Sequence, residues 1–386
     1  AEFLLGTRPT ASQMKGPCAG VGLFGRKRLT VPTMIGRFLL PALLLGSGLA
    51  AGADAAGREL ETDAPAYVYA ANEGEDLEHG KGVAALLEAW EAANGPIEPG
   101  PTGRVVLKVY TNSGLGLRTP PSLVLALAEA LERRGFERRN IVVADLEERR
   151  LRAAGYLPPL SEGGRTFRGM PVVVLDDPER FLPDWHYDSP LPPDPLLDAD
   201  RGGAGRLLEG DEDRKSFLPA PLLFDLDFWI NLPVAVEHPV LGLSGAVANA
   251  GLWAVSNQAR FFRRPVSAAS SAVEIAAIPE LRRTWLFSLL TLERYQIIGG
   301  PRFDSHYTHG RAELLLSDDP LLVDRYALAA VNASRLERGF DPILPEPLFF
   351  RYGESLGLGS ADLDPARLRF VGPGDPEGAT APATAE

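Results

Sequence analysis

Between Arg104 and Asp145 the chain sets two short apolar runs, RVVLKVY and NIVVAD, on either side of an amphipathic stretch that Thr119, Pro120 and Pro121 open and Gly135 closes. In the first run Val105, Leu107 and Val109 alternate with Arg104, Val106 and Lys108, the period of a strand. Leu123, Leu127 and Leu131 recur at helical spacing in the stretch between, and prolines in a first turn suit a helix start. Strand, helix and strand at this spacing make a βαβ unit, whose two strands run parallel. Parallel sheets bury both faces under helices, so this stretch restricts the chain to an α/β fold: a mainly parallel sheet flanked by helices in Rossmann-like units, within a single large domain.

The remaining segments extend the same pattern. Lys81 to Asn94 reads as a helix with Val83, Leu86, Leu87 and Trp90 on one face, stopped by Gly95 and Pro96. Leu146 to Tyr156 starts a further helix, and Met170 to Asp177 supplies a third short strand. From Asp184 to Asp213 the composition turns to proline, aspartate and glycine, which marks a surface loop or insertion. A strand at Phe228 to Leu232, a small-residue helix from Ser244 to about Val255 and an apolar run from Trp285 to Leu292 follow. A strand at Ala312 to Leu316 then leads into a helix capped by Asp318 or Asp319, with Pro320 in its first turn and Gly339 at its end. Residues 371–386 hold too few apolar side chains to pack and are expected to be disordered.

The N-terminal region reads as an address. From Met34 a short basic start with Arg37 leads into an apolar stretch from Phe38 to about Ala50 and small-residue cleavage options at Ala53 or Ala55, the pattern of a secretory signal peptide. The apolar core is about a dozen residues against the roughly 20 that span a bilayer, which favours cleavage over a retained anchor. Residues 1–33 show no periodic pattern and are expected to be upstream or non-native leader, with translation starting at Met34. The domain proper is expected over 56–370, and the protein to be periplasmic or extracellular.

Charge and cysteine content narrow the chemistry. The whole chain carries a formal charge of −12, but six basic residues and one acidic residue precede Asp54, leaving 33 basic against 50 acidic groups and −17 beyond it. Such a surface repels nucleic acid and anionic lipid, so neither is expected as a partner. The single cysteine, Cys18, excludes an intrachain disulfide and, outside the leader, any iron-sulfur ligand or thiol nucleophile. No GxSxG elbow, GxxxxGK[ST] loop or complete GxGxxG is present, and Gly114-Leu115-Gly116 is only a fragment of the last.

Several pieces carry a resemblance. LKVYTNSGLGLRTPPSLVLALAEALERRG, IVVADLEERRLRAAGY, DFWINLPVAVEHPVLGLSGAVAN, IPELRRTW, IIGGP and LLLSDDPLLVDRYAL fall in the order of the domain-of-unknown-function 362 family and look closest to its exported branch, over roughly Val105 to Gly357. The resemblance implies an α/β domain and no assigned activity. Members of that family commonly carry a lysine two positions before the histidine of the INLP segment, another before the following asparagine, and an aspartate before the GGP turn. Here those positions hold Val236 and Ala248, and the aspartate is replaced around Thr291. These departures imply a noncatalytic or degenerate member as an alternative to an enzyme.

Candidate site residues gather where strands end, the edge at which open parallel sheets bind ligands. His238 follows a buried strand and suits a base or ligand, or a pin for the loop. Lys108 can hold an anion as a point charge or cap a strand end in solvent, and Asp145 can act as base or orient a ligand hydroxyl. Asn112, Asn231 and Asn249, with Asn257, offer amides to the same mouth. Ser244 and Gly245 open a helix whose N–H groups suit a phosphate or carboxylate, or only a helix cap. Asp304, His306 and His309 supply ligand types for a divalent transition metal, or a polar loop. The expectation is an enzyme acting on a small anionic or polar ligand at the sheet's carboxyl edge. The alternatives are a noncatalytic periplasmic binding protein and a metal-dependent activity at His306 and His309. The protein partner, if there is one, and the cofactor are unassigned by sequence.

Overall fold

The computed structural model describes residues 64–72, 75–189, 191 and 214–372. The expected leader and signal at 1–55, the tail from 373 onward and positions 192–213 of the insertion lie outside the described residues.

The strands, in chain order, are β1 Ala66–Ala70, β2 Val105–Val109, β3 Ile141–Asp145, β4 Thr166–Phe167, β5 Met170–Val174, β6 His186–Asp188, β7 Lys215–Phe217, β8 Phe228–Leu232, β9 Val234–His238, β10 Gly242–Ser244, β11 Trp285–Gln296, β12 Thr308–His309, β13 Glu313–Ser317 and β14 Leu368–Phe370. The helices that matter here are α1 His79–Asn94, α2 Pro121–Glu132, α3 Glu148–Ala153, α4 Ala246–Ala250, α5 Pro265–Ala276 and α6 Pro320–Glu337. Among the described residues, 12 strands form one sheet. Its centre is five parallel strands in the order β11-β8-β2-β3-β5. Antiparallel β13 continues it beyond β11, followed by β1 and β14, and antiparallel β4 closes the far edge. The α/β expectation holds, and the βαβ unit β2-α2-β3 sits in the middle.

Alternation along the strands divides the core in two. Val105, Leu107 and Val109 of β2, with Val143, Ile230 and Leu289 of its neighbours, pack on one face with α1, α2 and α3 through Leu86, Leu127 and Leu151. Val106, Val142, Trp229 and Leu290 point to the opposite face, where Val247 of α4, Ala272 of α5 and Leu322 of α6 cover them. Every one of these side chains is buried. At about 25 cal/mol per Å2 of apolar surface removed from water, this burial is the main stabilising term.

Two departures from the sequence reading have plain causes. Pro233 has no N–H for the ladder, so β8 ends at Leu232 and the chain steps sideways into β9, which pairs with β10 and β11. His238 is therefore the last residue of a strand of its own, opposite Gly242 in a hairpin. The helix expected from Ser244 to Val255 stops at Ala250 before Gly251, a poor helix former that this position requires because a Cβ there would come 2.4 Å from the Ala272 carbonyl oxygen.

β11 also runs past the apolar segment, through Glu293 and Arg294 to Gln296. Its register against β9 slips between Thr291 and Gln296, a bulge that turns these two charged residues out to solvent. In the insertion, β6 and β7 form a separate two-stranded antiparallel sheet. Arg260 staples its neck by donating to the carbonyls of Ser189, Leu191 and Arg214 and to Ser216 Oγ. Among the described residues, no helix is long and apolar enough to cross a membrane.

Candidate functional site

At the last rungs of the parallel block, Lys108 of β2, Asn231 of β8 and Ser288 of β11 stand in register across three strands. Lys108 is fully buried, and its three ammonium donors all find acceptors: Asp145 Oδ1 at 2.6 Å, Asn249 Oδ1 at 3.0 Å and the Val109 carbonyl at 3.0 Å. Asp145 Oδ2 accepts from Thr111 Oγ1 at 2.5 Å. Asn249 Nδ2 donates to Asn231 Oδ1 at 2.7 Å, and Asn231 Nδ2 donates to the Ala246 carbonyl and to Ser288 Oγ. Burial pulls the Lys108 ammonium below its ordinary pKa, while Asp145 pulls it back up. Four of the residues expected at this edge, Lys108, Asp145, Asn231 and Asn249, thus form one continuous network, but it is closed on itself.

His238 lies elsewhere, on β9, with its ring against Phe262. Its Nδ1 accepts from the backbone N–H of Val240 at 3.1 Å and of Leu241 at 3.2 Å, which puts the ring proton on Nε2. Burial drives its pKa down to about 4. With the Nδ1 lone pair committed to the turn, this geometry is that of a loop pin and not of a general base.

The helix N-terminus at Ser244-Gly245 does receive a carboxylate, but the protein's own. Asp324 of α6 accepts from the N–H of Ala246 and, at 3.0 Å, from that of Val247. A Cβ on Gly245 would come 2.1 Å from Asp324 Oδ1. Ser244 Oγ is engaged by Trp253 Nε1 at 2.9 Å. The expected anion cradle is filled from within, since α4 has five residues and its first N–H groups are already satisfied.

Asn112 is half-buried in the turn after β2, where its carbonyl accepts from Arg150. Asn257 adopts a left-handed conformation beside Lys215. The expected metal set is not assembled. His306 is exposed and its Nδ1 meets Asp304 Oδ1 at 3.2 Å, while His309 pairs with Tyr295 across β11 and β12. Among the described residues, no three His, Cys, Asp or Glu side chains group so as to hold a metal ion. Val236 and Ala248, standing where the resembling family has lysines, are buried in the apolar core.

An open site lies a short way along the same carboxyl edge. The turn between β2 and α2 is held at its root by Thr119, which takes the N–H of Tyr110 at 2.8 Å and gives its hydroxyl to the Leu232 carbonyl at 2.6 Å. Its tip is pinned by the Phe303 ring, so close over Gly116 that a Cβ there would come within 2.3 Å of it. Arg294 Nη1 donates to the Gly116 carbonyl at 3.1 Å. Between this turn and the bulge of β11 is a cleft of about 220 Å3, lined by Leu115, Gly116, Arg118, Pro121, Glu293 and Arg294. Thr291 Oγ1 accepts from the N–H of Glu293 and so fixes the bulge.

Arg118 donates to the Ala154 carbonyl, and neither Arg118 nor Arg294 forms an ion pair among the described residues. These cleft residues are not among the candidates that the sequence marks, since Gly114-Leu115-Gly116 reads only as a motif fragment and the apolar run ends at Leu292. The available signal was the pair Glu293-Arg294 immediately after eight strand-forming residues, together with an arginine in a glycine turn at a parallel strand's carboxyl end.

No family model matches the chain, and no curated protein matches it. Among solved structures, the chain is similar to a structural-genomics target protein from Thermotoga maritima, with 13% identity and a TM-score of 0.34. That match covers 70% of this chain and 61% of the other, so the chain spans less than two thirds of that protein's length.

Proposed function

We propose that this chain is a binding protein for a small anionic molecule, held between the β2-α2 turn and the β11 bulge by Arg118 and Arg294. The observation that carries this reading is two guanidinium groups lining one cleft, neither of which forms an ion pair with a carboxylate among the described residues. Guanidinium groups present planar forks that match carboxylate and phosphate oxygens, and each keeps donors beyond the one given to a backbone carbonyl. The chain as a whole carries a formal charge of −12, so a local pair of arginines is the more selective for an anion that can reach both.

Binding without turnover is favoured over catalysis because the groups expected to move protons are occupied. Lys108 has no donor to spare, and His238 has committed its acceptor nitrogen. Export through the Met34–Ala55 segment and kinship with the domain-of-unknown-function 362 family complete the proposal, the first on the signal-like pattern and the second on motif order.

A thermal-shift screen of the full chain against phosphate, sulfate, succinate, glutarate and neutral sugars tests it, because a ligand that binds only the native state raises the melting point by mass action. At least one anion is expected to raise the melting temperature, and Arg118→Gln with Arg294→Gln to remove that rise. An anion shift that survives the double variant, or no shift with any anion, overturns the reading.

A further inference from the structure

We infer that the cleft selects a ligand carrying an ammonium group beside its anionic groups, with acidic α-amino acids the closest match in charge; this rests on the reading of the cleft as an anion site. Three charged side chains line the cleft: Arg118, Arg294 and Glu293. Opposite charges so near one another ordinarily neutralise. Among the described residues no ion pair joins Glu293 to either arginine, and the ionisable neighbour within 4 Å is His79, whose Nε2 lies 3.5 Å from Oε2.

His79 does not supply the missing cation. It opens α1 with only 8% of its surface exposed, and burial holds its pKa below the ordinary value, against the opposing pull of Glu293. Burial disfavours the charged form of the imidazole, and its buried Nε2 has no hydrogen-bond partner among the described residues. A polar atom buried without a partner is costly, and this one points at the carboxylate that forms the cleft wall. A cation arriving from the cleft would draw Glu293 into a charge-assisted contact.

The charges on the wall dictate the rest. Two guanidinium groups call for two anionic groups, and one carboxylate calls for one ammonium. At about 220 Å3 the cleft falls below the roughly 300–1,000 Å3 of sites for drug-sized ligands, so the ligand is of metabolite size. Leu115, 65% exposed on the same wall, gives the methylenes of such a molecule an apolar contact. An acidic α-amino acid has two carboxylates, one ammonium and a short aliphatic linker.

Isothermal titration calorimetry of the full chain with L-glutamate and with glutarate separates the ammonium from the carboxylates, since the two share both acid groups. One charge-assisted contact corresponds to about a tenfold difference in affinity, so L-glutamate is expected to bind about tenfold more tightly than glutarate. Glu293→Gln is expected to erase that preference, with glutarate binding at least as tightly as before because a like charge leaves the cleft wall. Glutarate binding as tightly as L-glutamate to the unaltered chain overturns this inference while the anion reading stands. A preference that persists in Glu293→Gln does the same. If neither compound binds, the anion reading falls and the ammonium preference with it.

Discussion

Asp145 Oδ1 lies 2.6 Å from Lys108 Nζ, with 6% and 0% of their side chains exposed, so the carboxyl ends of the two central parallel strands are joined by an ion pair sealed from water. Asn249 ties that pair to α4 and Thr111 ties it to the turn that forms one wall of the cleft. The pair thus fixes the geometry of the open site without lining it.

Removing one partner leaves the other charge buried. Lys108→Met is expected to destabilise the fold by about 3–5 kcal/mol, and Lys108→Met with Asp145→Leu by clearly less, because no uncompensated charge remains. Urea unfolding monitored by circular dichroism measures both. Equal losses in the single and double variants would contradict the account.

Two buried groups give pH dependences of opposite sign. The His238 pKa falls from 6.5 to about 4 in the fold, so its contribution is present above pH 6.5 and lost as pH falls toward 4, about 3 kcal/mol in all. Asp324 rises from 3.8 to about 7, so its contribution is present below pH 3.8 and lost as pH rises through 7, about 4 kcal/mol. Between these limits the unaltered chain is expected to show a shallow stability profile. His238→Asn should tilt it toward greater stability at low pH, and Asp324→Asn toward greater stability at high pH, as read from denaturant midpoints between pH 4 and 7.

Asp324 also caps α4, and Gly245 leaves it room. Asp324→Ala strands two backbone N–H groups and is expected to cost about 2 kcal/mol, the upper part of the N-cap range. Gly245→Ala sets a methyl 2.1 Å from Asp324 Oδ1 and is expected to cost about 1–3 kcal/mol, as overpacking does. Melting temperatures of the two single variants and their combination check this, since with the carboxylate gone the added methyl should cost less than it does alone.

Much of the fold was legible because period-2 and period-3.6 patterns dominate the parallel block. Phe228–Leu232 and the helix behind Asp319 stand where the pattern put them, with Asp319 Oδ1 taking the N–H of Leu321 and Leu322. β1 and β14 are not marked by the sequence because such short segments have no long periodic run, and β9 because Pro233 disguises a change of partner as a strand end. The site was half legible. Sequence marked the polar residues at the right edge of the sheet, but whether Lys108 faces a ligand or Asp145 depends on a contact across 37 positions. Arg118 and Glu293 line one cleft only because β11, 175 residues away in sequence, bulges beside the loop after β2.

Export gives a separate test. Expressed from Met34 in a bacterium with a general secretion pathway, the protein is expected outside the cytoplasm with its first residue at Asp54 or Ala56, as cleavage after Ala53 or Ala55 requires. N-terminal sequencing of the fractionated protein reads this directly, and an intact start at Met34 in the cytoplasm would refute it.

The most direct measurement of the central claim is a crystal structure of the full chain grown with saturating glutarate. The account predicts a carboxylate within hydrogen-bond distance of the Arg118 or Arg294 guanidinium, in the cleft between the β2-α2 turn and the β11 bulge. Glutarate ordered at another place on the protein, with that cleft holding only solvent, would contradict it.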